Sequence, residues 1–377
     1  MRRCKKMNVT SIAISIGTFI LGFAANKLLD WITGVASKQL KRRTIDCDFH
    51  DFYNGAHRDV VITSSGFPFF SPINVKESLN TEKTFLLAMP VGVNREDTEK
   101  VCLSPVDRLT ESFDSFIKAN SLTETLEEIR REVYQSFCDK TQGNYFNGKT
   151  LGVNHIDGLS RTTDNREQPI LSIDFFETDY YTHKIIGRLL DKIQFDSSLV
   201  QKDMEGLYSW SRNSFGISLI LIIPKDNMIL LTKRSKKAAF TEDKEWIYVS
   251  VTEALSETDF DEETGAPDIS KAVFRGIQEE LGIKEIQLKS DTLRFYESFY
   301  ETKFHQDNIV ASIELSETLS FKDIAELLAK DKFMEIKDVI PLPKNKKEIA
   351  TFIENNEEQM RSQTLFTLES FMARLEE

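Results

Sequence analysis

Arg275 to Ile283 reads Arg-Gly-Ile-Gln-Glu-Glu-Leu-Gly-Ile, and here the residue types and their spacing come closest to chemistry. Val273, Phe274, Ile277 and Leu281 recur at helical spacings, so the stretch closes an amphipathic helix. Arg275 and Glu279 lie one turn apart on its other side, and Gly282 stops it. Glu279 and Glu280 are adjacent carboxylates, hard oxygen donors of the kind that hold Mg²⁺ against a phosphate. Mg²⁺ is therefore the candidate cofactor. Glu279 and Glu280 are its candidate ligands and the only candidate catalytic groups.

The pattern resembles the core of the Nudix box, in which an Arg, a Glu, a Glu-Glu pair and a Gly follow one another on a helix and its exit. In that family the carboxylates stand at i, i+3 and i+4, face one way and hold Mg²⁺ against a diphosphate. In this chain Gly276 stands where the first of them would be, position 267 is Pro instead of an upstream Glu, and no Gly-Gly follows Trp246. An acidic loop, Glu253 to Gly265, is inserted instead, and its Asp261 or Glu263 is a further candidate ligand. The resemblance implies a Nudix-like fold that binds a nucleotide without cutting it. A residual Mg²⁺-dependent hydrolase acting on a nucleoside diphosphate-type substrate stays open.

The elements around the box follow the same order as in that family. Phe215 to Ile223 is an apolar run, Pro224 to Asn227 a turn, and Met228 to Leu231 a second strand leading into Thr232-Lys233-Arg234. Trp246 to Val251, Thr292 to Phe304, Asn308 to Leu315 and Phe333 to Leu342 read as further strands, with a helical piece over Phe321 to Lys330. The resemblance thus implies a C-terminal Nudix-like α/β/α sandwich over 213–345. Lys233, Arg234, Lys236 and Lys237 lie near Phe240, Trp246 and Tyr248, cations for phosphates beside flat surfaces for bases. Stacking a base on an aromatic ring is worth about 1–3 kcal/mol. Arg234, Lys233, Lys236, Trp246 and Arg275 are accordingly the candidate nucleotide-binding residues. A solvated turn and a core tryptophan are the competing account.

Residues 45–205 read as a separate α+β middle domain. Val60 to Thr63, Phe85 to Val91 and Ile170 to Phe176 are its strands; Val106 to Ala119, Thr123 to Phe137 and Tyr181 to Ile193 are its helices. Gly143 to Leu151 is a hairpin candidate through Asn147-Gly148, followed by a polar loop, Asn154 to Glu167, with His155, Arg161 and Arg166. No catalytic signature stands out there. At the other end, 346–377 forms C-terminal helices, the last with Leu365, Leu368, Phe371, Met372 and Leu375 on one face.

Composition bounds the partners. The 377 residues are 40% hydrophobic, enough for a sizeable core. Four cysteines without paired spacing point to neither a disulfide framework nor zinc, and Cys47, His50 and His57 fit no metal-ligand spacing. The net charge of −12 hides an asymmetry: the first 43 residues hold nine Lys or Arg against one acid, leaving 39 basic and 59 acidic residues in the rest. So acidic a body is no binder of duplex nucleic acid.

The basic start suits an anionic lipid surface instead. Val9 to Ala25 carries no charge and would reach about 25 Å as a helix, close to the hydrocarbon thickness. A single N-terminal transmembrane helix over about 9–29, within a basic segment 1–43, is expected. A cleaved signal peptide is the alternative. Ser11, Ser15, Thr18, Gly22 and Ala25 form a small-residue stripe on one helix face, suited to self-association of such spans. Flanking charge does not set the topology.

This order of segments resembles the membrane effectors of CBASS, bacterial anti-phage systems. The resemblance implies that a degenerate Nudix-like domain senses a cyclic oligonucleotide made by a CD-NTase, the nucleotidyltransferase of those systems. It further implies an inner-membrane protein whose associating helices disrupt the membrane in abortive infection. A non-enzymatic membrane scaffold acting through the last helix is the third reading.

Overall fold

The computed structural model describes residues 52, 55–63, 72–87, 110–141, 147–159, 169–197, 199–200, 207–235, 246–331 and 336–375. The chain divides into two compact units, Met1–Gly55 and Ala56–Glu377. The first falls almost wholly outside the described residues; the second holds the elements named below.

In chain order they begin with β1 (Val60–Ile62), β2 (Asn74–Thr84), α1 (Thr110–Ala119), α2 (Thr123–Thr141), β3 (Lys149–Leu159), β4 (Ile170–Asp179) and α3 (Tyr180–Ile193). Next come β5 (Phe215–Ile223), β6 (Met228–Arg234), β7 (Ile247–Tyr248), β8 (Val251–Ala254), α4 (Ile269–Gly276) and a π-helical turn (Ile277–Leu281). The chain then runs through β9 (Leu288–Glu301), β10 (Gln306–Leu315), α5 (Phe321–Asp331), β11 (Ile336–Pro343), α6 (Lys346–Asn356) and α7 (Ser362–Ala373).

An eight-stranded sheet is ordered β1-β9-β10-β5-β6-β11, with β7 on β6 and β8 on β5. Among the described residues only β10 and β5 run parallel in it. Strand β5, Phe-Gly-Ile-Ser-Leu-Ile-Leu-Ile-Ile, is buried along its whole length, as suits a largely apolar run in a sheet covered on both faces. Its residues 215, 217, 219, 221 and 223 join a core with Ile269, Ala272, Val273, Ile277 and Leu281 of the box helix and its π turn. On the alternate face Ser218 Oγ lies 2.7 Å from Thr367 Oγ1 of α7. Helix, sheet and helix are therefore stacked about β5.

Helix α7 is buried almost all round, polar residues included, where the sequence indicates a single apolar face. Its polar side is accommodated because β5 and β10 present polar partners to it: besides Ser218, Asn308 Oδ1 accepts from Gln363 Nε2 at 2.9 Å.

A three-stranded sheet, β2-β4-β3, packs on the same core. Leu151, Val153, Leu171, Ile173 and Phe175 belong to it, and the Phe175 and Phe215 rings meet edge to face at 5.1 Å. A second cluster gathers Phe113, Ile129, Tyr134, Tyr181 and Trp210 under α1, α2 and α3. The segment expected as a domain of its own over 45–205 thus shares an apolar core with the sandwich. The first residues of the stretch read as a polar loop, Asn154 to Leu159, belong to β3 instead. Asn147, read as a hairpin residue, instead accepts from Tyr181 N at 2.9 Å and donates to Asp179 at 2.7 Å, holding the start of α3. Arg161 and Arg166 lie outside the described residues.

The fold is α+β with mixed sheets, and the membrane-spanning part of the expected fold class is corrected: no helix among the described residues is long and apolar enough to cross a membrane. Helix α2 has 19 residues but carries Glu124, Glu127, Glu128, Arg130, Arg131 and Glu132, charges that exclude it from hydrocarbon. The stretch expected to span, about 9–29 with Ser11, Ser15, Thr18, Gly22 and Ala25, lies outside the described residues.

Three arginine–carboxylate pairs tie the sheet to its surroundings. Arg212 grips Asp307 at 2.9 and 2.5 Å, Arg361 reaches Glu301 at 2.5 Å and Arg374 reaches Glu297 at 2.5 Å. The Asp307 side chain is 0% exposed, so removing its partner strands a charge, whereas replacing both residues by apolar ones does not. Arg212→Leu is expected to cost about 3–5 kcal/mol of unfolding free energy, and Arg212→Leu/Asp307→Leu to regain most of it. Denaturant midpoints of the two variants check this.

Candidate functional site

Asp268 caps α4, its carboxylate accepting from Ser270 N at 2.8 Å and Lys271 N at 3.1 Å. The helix then loosens into the π turn that carries Glu279 and Glu280, and ends at Gly282 with φ 71°. A β-carbon at Gly276 would stand 2.9 Å from Glu253 Cβ and 2.9 Å from Val251 Cγ1. The glycine is therefore a point of close approach between α4 and β8. The space a side chain would need at 276 is filled by Glu253 from the strand.

Glu253 brings its carboxylate to Arg275, with Oε1 3.0 Å from Nη1. Asp259, from the loop after β8, takes the same guanidinium in a two-pronged grip, accepting from Nε and Nη2 at 2.8 Å each. Glu279 accepts from Nη1 at 3.3 Å and Ala254 O from Nη2 at 2.9 Å. Three carboxylates converge on one arginine. The hydrogen bond to Asp259 leads in raising the Arg275 pKa above its ordinary value. Burial pushes the Glu253 carboxyl above its ordinary range, the attraction of Arg275 notwithstanding, and nearby Glu279 adds to the rise.

Arg275, expected to meet a nucleotide, is thus spent on acids. Glu279 points largely to solvent and Glu280 is half-buried. Asp261, a loop acid considered as a ligand, closes its own turn by accepting from Thr264 N and Oγ1 at 2.8 Å each and from Glu263 N at 3.1 Å. No group of three His, Cys, Asp or Glu among the described residues is placed to hold a metal ion. The residues present do not fit the Mg²⁺ site of a Nudix box, because a guanidinium occupies the focus of the carboxylates. Glu253 and Asp259 do not stand out in the sequence as partners of Arg275. The steric demand of Gly276 is their one signal, and it becomes visible only when β8 is seen beneath α4.

The basic and aromatic candidates lie elsewhere, at the ends of β6 and β7. Arg234 N donates to Trp246 O at 3.0 Å, and the Arg234 guanidinium lies 5.0 Å from the centre of the Tyr248 ring. Lys233 pairs in register with Ile247, so strand alternation sends it to the face opposite Arg234. Lys236 falls outside the described residues. The turn joining β9 to β10 adds residues that sequence alone does not single out. Lys303 Nζ lies 5.0 Å from the Trp246 ring and 5.3 Å from the Phe304 ring, and the Arg361 guanidinium 4.1 Å from the Phe304 ring. At a surface such cation–ring contacts are worth about 0.5–1 kcal/mol each. Their far separation in sequence hides them.

Comparison with known protein families and with curated proteins finds no significant match.

Glu253 supplies a pH test. Its folded-state pKa exceeds the unfolded value, so the folded form holds its proton longer, and stability present below the unfolded pKa is lost as pH rises through the folded one. In Glu253→Gln, which still accepts from Arg275, that loss is removed. The variant is expected to match wild-type melting at about pH 4 and to exceed it by a widening margin towards about pH 7, as thermal melts across that range would record.

Proposed function

We propose that the unit Ala56–Glu377 is a non-hydrolytic receptor for a small nucleotide anion. The observation that carries this reading is the capture of Arg275 by Glu253 and Asp259, with Glu279 at 3.3 Å, which sets a guanidinium among the acids beside the box. Hydrolysis of a diphosphate needs those carboxylates turned towards a cation that also touches substrate. A protein that keeps the helix, strand and turn of such a site while closing it with an arginine retains a scaffold without its chemistry.

The acids around Arg275 outnumber it and would repel a phosphate, whereas Arg234, lying over the buried Tyr248 ring, and the half-buried Trp246 offer a cation and an aromatic ring. That is where the nucleotide would bind. The resemblance to CBASS effectors supplies the candidate ligand, a cyclic oligonucleotide made by a CD-NTase. In that setting a sensor that spares its signal stays switched on.

Titration calorimetry of the full chain with a panel of cyclic and linear nucleotides, with and without Mg²⁺, tests the reading. Binding of at least one nucleotide is expected without Mg²⁺ and without release of phosphate or nucleoside monophosphate. Trp246→Ala and Arg234→Ala should each weaken it about tenfold, the loss of one stacking or charge-assisted contact. Mg²⁺-dependent turnover that Glu280→Gln abolishes would establish the hydrolase instead, and absence of any binding would leave the scaffold.

A further inference from the structure

The β9–β10 turn carries a feature that neither the box nor the β6–β7 residues account for. Lys303, exposed at the surface, sets one ammonium over two aromatic rings, Trp246 from the β7 approach and Phe304 from its own turn. Both rings are half-buried. Neither belongs to the two apolar clusters that make up the core.

The surroundings of Phe304 are fixed. Arg361 lies over its ring at 4.1 Å and is itself held by Glu301, whose side chain is 0% exposed, through Nε at 3.0 and 2.9 Å and Nη2 at 2.5 Å. Arg361 Nη2 also donates to Gln306 Oε1 at 3.1 Å. That guanidinium is neutralised and serves as backing for the ring. Trp246 is anchored from the other side: Ile247 bridges to Met360, the residue before Arg361. One short segment thus backs the Phe304 ring and ties down the backbone beside Trp246, and the ammonium over both rings is carried on a flexible four-carbon stem.

We infer that Trp246 and Phe304 form the base-binding half of the nucleotide site, with Lys303 as an internal ammonium that a base displaces and that then pairs with the phosphate of the same nucleotide. The inference rests on the receptor reading above and adds to it the residues and the ligand chemistry: an aromatic base carrying a phosphate, bound as a unit. A base gains more by stacking on an aromatic ring than a solvated ammonium gains over it. The displaced lysine keeps its charge within reach of the phosphate, where a charge-assisted hydrogen bond replaces the cation–ring contact.

The full chain is titrated with ATP, a linear adenine dinucleotide, a cyclic dinucleotide, adenosine and inorganic pyrophosphate, using wild type, Phe304→Ala, Phe304→Tyr and Lys303→Ala. For whichever nucleotide wild type binds, Phe304→Ala is expected to weaken affinity about tenfold and Phe304→Tyr to stay within about twofold of wild type. Lys303→Ala is expected to weaken the nucleotide but not adenosine, with a shallower dependence on salt. Unchanged affinity in Phe304→Ala with an unchanged melting temperature would overturn the inference and leave the receptor reading standing, as would pyrophosphate binding as tightly as ATP. If wild type binds none of the nucleotides, the receptor reading fails and this one with it.

Discussion

The guanidinium of Arg275 is the constraint on which the box region depends. Glu253 is half-buried and Asp259 buried, and carboxylates taken out of water are costly without a cation within hydrogen-bonding distance. Arg275 supplies it from a helix whose next residue has no side chain, so α4 can press against β8 closely enough for the three groups to meet. A larger residue at 276 would lift the helix off the strand and open the pairs. The glycine that removes one carboxylate from the helix therefore admits another from the strand. Geometry that in a metal site would be completed by an ion is completed here by the Arg275 guanidinium.

That exchange sets the electrostatics of the unit. With three acids about one arginine, the carboxylates at the box end outnumber the guanidinium they surround. The positive and aromatic side chains instead collect where β6, β7 and the β9–β10 turn come together. A polar division of this kind steers an anion by repulsion from one end as much as by attraction to the other.

Much of the sandwich was legible because its strands announce themselves. The largely apolar run of β5, interrupted by Ser218, suits a strand covered on both faces, and Gly282 ends the box helix in the left-handed conformation its sequence position suggests. Adjacency was not legible. Glu253 and Asp259 look like parts of an acidic insertion, yet the strand pairing of β8 with β5 turns the first inward, and the second folds back to cap the guanidinium. Lys233 and Arg234 look equivalent in a run of basic residues and are separated by a single step of strand alternation. The middle segment reads as independent because its apolar periodicity is complete in itself. Only packing shows that one face of its small sheet joins the larger core.

The cation–aromatic face owes its definition to buried charge elsewhere. Glu301 is fully enclosed, and the bonds that neutralise it fix Arg361, which in turn fixes Phe304. On the same segment Met360 O accepts from Arg58 at 2.6 Å while the residue itself bridges to Ile247, next to Trp246. Arg58, Glu301, Phe304 and Arg361 and the backbone at 247 and 360 are therefore joined in one connected set of contacts. A surface assembled from such distant pieces would lose its shape if each were held separately, because every freely rotating side chain lowers the affinity of a site that must order it on binding. Held as a set, these contacts fix the Phe304 ring and the backbone beside Trp246 in the folded protein.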